Sequence, residues 1–235
     1  MDCAYNLFGG APVLKKYQTN ATISRVGQPF MIPAANGAGV PLCTVSSATD
    51  FMGVNLDTAT YATAQGSADP AALLTLNIRP DSVYKARLSG NATEGTALTL
   101  YDVTVASTSG LVVQTGDDWS TVTQDEGTIW GYDGANAGIM RKITSVSTSD
   151  ATVTVAFPYD TVVGDNFLRA PFTPGQSTLV LLSTNVTEID CSSAVGSGGT
   201  WRVIELQAAD ASANGRYNSF AFIQASDSVF AGQLT

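Results

Sequence analysis

Ser82-Val83-Tyr84-Lys85-Ala86-Arg87-Leu88 decides the fold class. Val83, Lys85 and Arg87 fall on one side of an extended chain, and Tyr84, Ala86 and Leu88 on the other. That period of two belongs to a strand, and Ser89-Gly90 closes it as a turn. The same grammar extends in both directions. Residues 51–55 and 73–78 read as strands, and 26–32 as a turn entering one. Residues 40–45 read as a strand after the Asn36-Gly37-Ala38-Gly39 loop. Downstream, 98–105 alternates, 111–113 follows Gly110, and 128–132 runs into Asp133-Gly134, a tight-turn pair. Residues 139–146 and 152–157 flank the turn Ser147-Thr148-Ser149-Asp150, and 166–168 follow Gly164-Asp165. Residues 178–182, 201–206 and 220–224 complete the set, the first two linked by a Gly-Ser stretch over 192–200. One short helix is expected at 69–74, with Asp69 as N-cap and Pro70 in the first turn.

Composition agrees with an all-β chain. Glu and Lys, which helices favour on their wet faces, total eight of 235 residues, while 22 Gly and 9 Pro supply punctuation. Hydrophobic residues make up 44% and charged residues 13%, so the chain has enough apolar surface to bury a core. No stretch of about 18 apolar residues occurs, so no transmembrane helix is expected. The opening Met1-Asp2-Cys3-Ala4-Tyr5-Asn6 has neither a basic region nor an apolar run and does not read as a signal peptide.

Chemistry is bounded mainly by the lack of histidine. Ser-His-Asp triads, Cys-His dyads, imidazole zinc or haem ligation and an imidazole pH switch are excluded. Net charge is −9, with 4 Lys and 7 Arg against 16 Asp and 4 Glu, which argues against nucleic-acid binding. Cys3, Cys43 and Cys191 are far apart and read as small buried thiols, with a disulfide as the alternative. The sequons at Asn20, Asn91 and Asn185 read as chance matches in a Thr-rich chain. Asp117-Asp118 and Asp125-Glu126 are the tight acidic pairs, with Trp119 between them. Neighbouring carboxylates on one strand face opposite ways, so neither pair is an acid/base dyad, and a solvated loop is expected. Asp117, Asp118, Asp125 and Asp133 offer oxygen ligands for calcium, but no Asp-x-Asp-x-Asp-Gly loop is present. Gly196-Ser197-Gly198-Gly199-Thr200 lacks the Lys and helix of a phosphate loop. No catalytic residue, cofactor or metal site is assigned, and no enzyme is expected.

Charge divides the chain into blocks. Residues 1–90 carry net +1, 91–175 net −7 and 176–235 net −3. The expected organisation is an extended N-terminal arm over 1–20, a docking β lobe over 21–90, an acidic β-module over 91–175 and C-terminal strands over 176–235 that pack on one lobe. The lobes are expected to be barrel- or sandwich-like, and the arm loosely packed in the free protein. A docking face must shed water, and ten carboxylates against three cations in 91–175 make that block costly to desolvate. The near-neutral block is therefore expected to dock and the acidic one to face solvent.

The segments "ISRVGQPFMI", "GVPLCTVSSATDFMGVNL" and "LLTLNIRPDSVYKARLSG" resemble the β-rich capsid decoration (cement) proteins of tailed bacteriophages. The shared features are a Gly-x-Pro strand opening, a Gly-Val step and a Pro-x-x-Val-Tyr-x-Ala strand. "GTIWGYDGANAGIMRKITSVSTSDATVTVAFPYDTVVGDNFL" is similar to a β-module of phage head and tail proteins. The resemblance implies a non-enzymatic virion component, made in the host cytoplasm, that stabilises the outside of the head. Its partners would be the major capsid protein and further copies of itself as a homotrimer, with neither nucleic acid nor membrane. Contact candidates are Tyr5, Leu7, Phe8, Lys15, Lys16, Tyr17, Arg25, Arg79, Lys85 and Arg87. Two other readings remain. One is a tail, fibre-associated or minor head part. The other is carbohydrate recognition or hydrolysis, with Trp119 or Trp130 as a sugar platform; three Trp are few for such a surface, and core positions would account for all of them.

Overall fold

The computed structural model describes residues 2–6, 10–18, 26–31, 51–56, 73–117, 119, 127–175, 179–180, 182, 187–192 and 201–226. Nearly all of its regular structure is β, in three sheets, one curved almost into a closed barrel and one into a half-barrel. Strands are numbered in chain order.

The first sheet has the order β2-β5-β4-β3, from β2 (Leu14–Gln18), β3 (Pro29–Met31), β4 (Phe51–Asn55) and β5 (Leu73–Asn77). Gly27 makes the turn into β3 with φ +87°, a conformation that costs glycine little, and its N–H donates to the Asn55 carbonyl at 2.8 Å. Phe30, Val54, Leu76 and Ile78 are buried here.

The second sheet lies wholly within 101–170. Its order is β7-β12-β9-β10-β11-β8. The strands are β7 (Tyr101–Asp102), β8 (Val112–Gln114), β9 (Thr128–Gly131), β10 (Met140–Val146), β11 (Asp150–Val153) and β12 (Asn166–Ala170). Its two edges meet: Val105 bridges Gln114, and the Thr104 N–H donates to the Gln114 carbonyl at 2.9 Å. The enclosed core holds Val103, Val113, Trp119, Ile129, Ile143, Val153 and Phe167. Tyr101 stacks on Trp119 with ring centroids 4.7 Å apart. Closing the edges protects backbone groups that an open sheet would leave to outside pairing.

The third sheet joins both ends of the described chain. Its order is β1-β6-β16-β15-β13. The strands are β1 (Asp2–Asn6), β6 (Ser82–Ser89), β13 (Leu179–Val180), β15 (Trp201–Gln207) and β16 (Phe220–Ala225). β14 (Glu188–Asp190) runs parallel to the second half of β6, and β1 runs antiparallel to the first half. Its inner face presents Tyr84, Ala86, Leu88, Trp201, Val203, Leu206, Ala221 and Ile223. These pack with Trp130, Leu168, Ala170 and Phe172, so one core spans barrel and sheet. The β15–β16 connection, a 3₁₀ turn (Ala211–Ala213) followed by α1 (Gly215–Asn218), fastens the two together. The Leu98 N–H donates to the Arg216 carbonyl, and Arg216 Nε returns a bond to the Leu98 carbonyl, each at 2.9 Å.

Several expectations need correction. Residues 2–6 and 14–18 are extended, but both are paired in sheets rather than forming a loose arm. Unpaired backbone on an extended segment is satisfied most economically by a neighbouring strand, and the edges of β6 and β5 supply one. β6 belongs with the C-terminal strands rather than with the 14–77 sheet, because its apolar side completes the core around Trp201 and Ile223. The alternation over 98–105 yields only the two-residue β7 and the Val105 bridge, and β11 ends at Val153 instead of reaching 157. β14 was not expected: Ile189 is a single apolar residue between two carboxylates. The proposed strand 40–45, residues 69–72 of the expected helix and most of the Gly-Ser link lie outside the described residues, whereas Leu73 and Leu74, the last two residues of that helix, open β5 and pair with Gln18 and Tyr17 instead.

Candidate interaction face

The outward side of the third sheet brings cations and aromatic rings together. On β6, Lys85 and Arg87 alternate with buried Tyr84, Ala86 and Leu88. Across the ladder, Arg87 stands opposite Phe220 and Lys85 opposite Phe222; the next strand sets Gln207 beside Phe220 and Glu205 beside Phe222. Phe220 and Phe222 meet edge to face at 6.4 Å, and the Lys85 ammonium lies 3.5 Å from the Phe220 ring centroid. Arg87 is 54% exposed along its side chain and 3.9 Å from Glu188, a surface pair that holds it only weakly. Arg202, opposite Gln224, extends the face. Antiparallel sheets usually turn polar residues outward, so two half-buried Phe residues flanked by Lys and Arg have the composition of an interface centre.

The other expected contact residues are dispersed. Lys15 and Lys16 are exposed on β2, which among the described strands ends the first sheet, with Leu14 exposed beside them. Tyr17 is half-buried there, and burial raises its hydroxyl above the usual tyrosine range. Arg79 is committed within the fold: its guanidinium grips Asp81 through two nitrogens and donates to the Ala11 carbonyl at 3.1 Å. Tyr5 sits on β1 opposite Val83. Leu7, Phe8 and Arg25 lie outside the described residues. Phe220 and Phe222 were not expected as contacts. Residues 220–224 are apolar on both sides of the alternation, so period alone does not say which side is wet.

The alternative chemistry finds less to stand on. Trp119, Trp130 and Trp201 are all fully buried, so neither proposed sugar platform presents a ring to solvent. The Trp119 and Trp130 indole N–H groups are spent internally, on Thr115 Oγ1 at 2.9 Å and the Ala209 carbonyl at 3.2 Å. Among the described residues no three carboxylate or thiol side chains cluster as metal ligands; Asp118 and Asp125 lie outside them. Beside the barrel, a cleft of about 260 Å³ is lined by Gly90, Leu98, Thr99, Tyr101, Arg169, Cys191 and Ser192. The Arg169 guanidinium lies 4.8 Å from the Tyr101 ring and 5.2 Å from that of Trp119. Burial raises the Tyr101 hydroxyl above its usual range, against the pull of the Arg169 charge. Burial, reinforced by Asp190, pushes the Cys191 thiol far up, and a neutral buried thiol is inert as a nucleophile. The Ser192 hydroxyl donates to Asp190 Oδ1 at 2.7 Å. No family model, curated protein or solved structure matches the chain.

Proposed function

We propose that the protein is a structural component of a tailed-phage particle that binds the outside of the head and reinforces the shell. The observation that carries this reading is the outward face of β6, β16 and β15, where Lys85, Arg87 and Arg202 flank Phe220 and Phe222. Such a face suits an acidic, partly apolar protein surface: the cations steer the encounter and the rings supply the desolvated centre. The motifs over 22–90 and 127–168 favour a phage shell as that surface. The acidic barrel module then stands toward solvent, where its exposed Asp102, Asp117 and Asp160 keep their water. In this reading the partner is the major capsid protein, the assembly a homotrimer, and the protein is not an enzyme. Cosedimentation of the purified chain with emptied heads lacking it tests the proposal. Saturable binding, weakened by Lys85→Glu with Phe220→Ala, is expected. Absence of binding, or binding indifferent to both changes, would contradict it.

A further inference from the structure

The cleft beside the barrel is a seam between two units that share one core. The barrel contributes Tyr101 on β7 and Arg169 on β12, and the third sheet contributes Gly90, just past β6, with Cys191 and Ser192, just past β14. Leu98 and Thr99 line it as well. Backbone bonds hold these walls in place. The Cys191 N–H donates to the Ser89 carbonyl and the Gly90 N–H to the Thr96 carbonyl, each at 2.9 Å, and Leu98 is held by its two bonds with Arg216. A site whose walls are set before a ligand arrives loses little entropy on binding. At about 260 Å³ the cleft offers the volume of about nine waters at ~30 Å³ each, which suits a small organic molecule rather than one of nucleotide size.

Arg169 decides what fits. Phe167 belongs to the barrel core and Leu168 to the core shared with the third sheet, so Arg169, two residues past Phe167, falls on the barrel side. It is 8% exposed, and its guanidinium rests against the Tyr101 and Trp119 rings. Of the described residues that line the cleft, Arg169 alone is charged. Burial raises the Tyr101 hydroxyl and the Cys191 thiol, so neither ionises at neutral pH. The buried Asp190 carboxylate is not part of the lining; its Oδ1 accepts from the Ser192 N–H at 2.8 Å and from the Ser192 hydroxyl at 2.7 Å. The chain as a whole is net −9, yet the charge at this cleft wall is positive. A guanidinium carries five N–H donors in a planar fork, more than one carboxylate of the chain takes up, and that fork matches a carboxylate edge to edge. We propose that the cleft binds a small organic monocarboxylate, its carboxylate toward Arg169, the Thr99 and Ser192 hydroxyls beside it, and its carbon body against Leu98. One cation balances one negative charge, whereas a phosphate dianion would bring a second charge with no lining cation to meet it. Such a ligand links the barrel to the ends of β6 and β14. The site shares no residue with the cation–aromatic face, and the inference does not depend on shell binding.

Isothermal titration of the full chain with sodium butyrate, at fixed ionic strength and with sodium chloride and sodium phosphate as comparisons, tests this. Thr99 is exposed, so Thr99→Asp and Thr99→Lys should keep the parent's circular dichroism. Butyrate should bind at one site per chain and raise the unfolding midpoint. Thr99→Asp should weaken binding about three- to tenfold, and Thr99→Lys should strengthen it by a similar factor, the range for a charge added at a partly solvated position. Chloride should give no saturable heat, and phosphate should bind more weakly than butyrate. No saturable butyrate binding, an equal response to chloride, tighter binding of phosphate, or an affinity that the two Thr99 changes leave untouched or move in the opposite sense would each overturn the proposal.

Discussion

The Lys85 ammonium sits 3.5 Å from the centroid of the Phe220 ring, bridging adjacent strands on the outward face of the third sheet. The contact covers part of an aromatic ring that would otherwise lie wet, and it holds a cation above a patch suited to docking. Such pairs contribute about 0.5–1 kcal/mol at exposed sites. Lys85→Ala should therefore lower unfolding stability by no more than about 1 kcal/mol. Phe220→Ala should weaken shell binding by about 1–3 kcal/mol, the range of an interface anchor. Chemical denaturation and cosedimentation, measured on the same variants, separate the two effects.

Trp130 ties the barrel to the third sheet, donating its indole N–H to the Ala209 carbonyl at 3.2 Å while its ring is fully buried. Trp130→Phe should cost about 1 kcal/mol or more for the lost hydrogen bond and unfilled volume, and Trp130→Ala about 3–5 kcal/mol. Because one core spans both sheets, urea unfolding of the parent should be a single transition for the barrel and the third sheet. Two separated transitions would show that they fold apart.

Gly131 has a backbone conformation open to any residue, yet a Cβ there would lie 2.2 Å from the Asn136 carbonyl oxygen. Backbone on the facing side cannot rotate away as a side chain would. Gly131→Ala should destabilise by about 1–3 kcal/mol, while the Ala change at Gly175, where nothing lies within 4 Å but φ is +80°, carries only backbone strain. Thermal unfolding of the two variants should rank them in that order.

Asp210 caps the β15–β16 connection, accepting hydrogen bonds from the Ser212 hydroxyl and from the Ser212 N–H at 2.9 Å. These bonds hold its carboxyl below the usual aspartate range, the hydroxyl contributing most. A lowered folded-state value means that the stabilisation is present above the ordinary aspartate pKa and is lost as pH falls through the folded one. Amide exchange over 211–219, corrected for intrinsic rate, should therefore accelerate at acid pH. Asp210→Asn should flatten that dependence.

Cys191 should resist alkylation in the native protein at neutral pH and react on unfolding, because burial keeps its thiol protonated. A chain with Cys3→Ser and Cys43→Ser isolates the signal. Rapid native-state labelling would contradict the burial of Cys191 against the barrel.

The strands most readable in the sequence are those with one wet side. β6 follows directly from its alternation, and β4 and β9 match their expected starts. The glycine turns were also legible, since Gly27 and Gly134 both have positive φ. The assignment of β6 to its sheet was not legible. Its apolar side is satisfied equally well by any neighbouring sheet, and only the distant Trp201 and Ile223 decide the matter. The N-terminal strands escaped for a related reason: edge pairing uses backbone groups, which leave no side-chain period. Lys85 and Arg87 were legible as outward cations, whereas Phe220 and Phe222 were not, because both sides of β16 are apolar.

A stained gel of purified, intact particles tests the functional proposal most directly. A decoration protein predicts a 24.4 kDa band in stoichiometry comparable to the major capsid protein, lost when the chain's gene is deleted and restored by adding the purified protein to the deficient heads. A band corresponding to only a handful of copies per particle would indicate a tail or minor head component, and its absence from particles would contradict a virion role altogether.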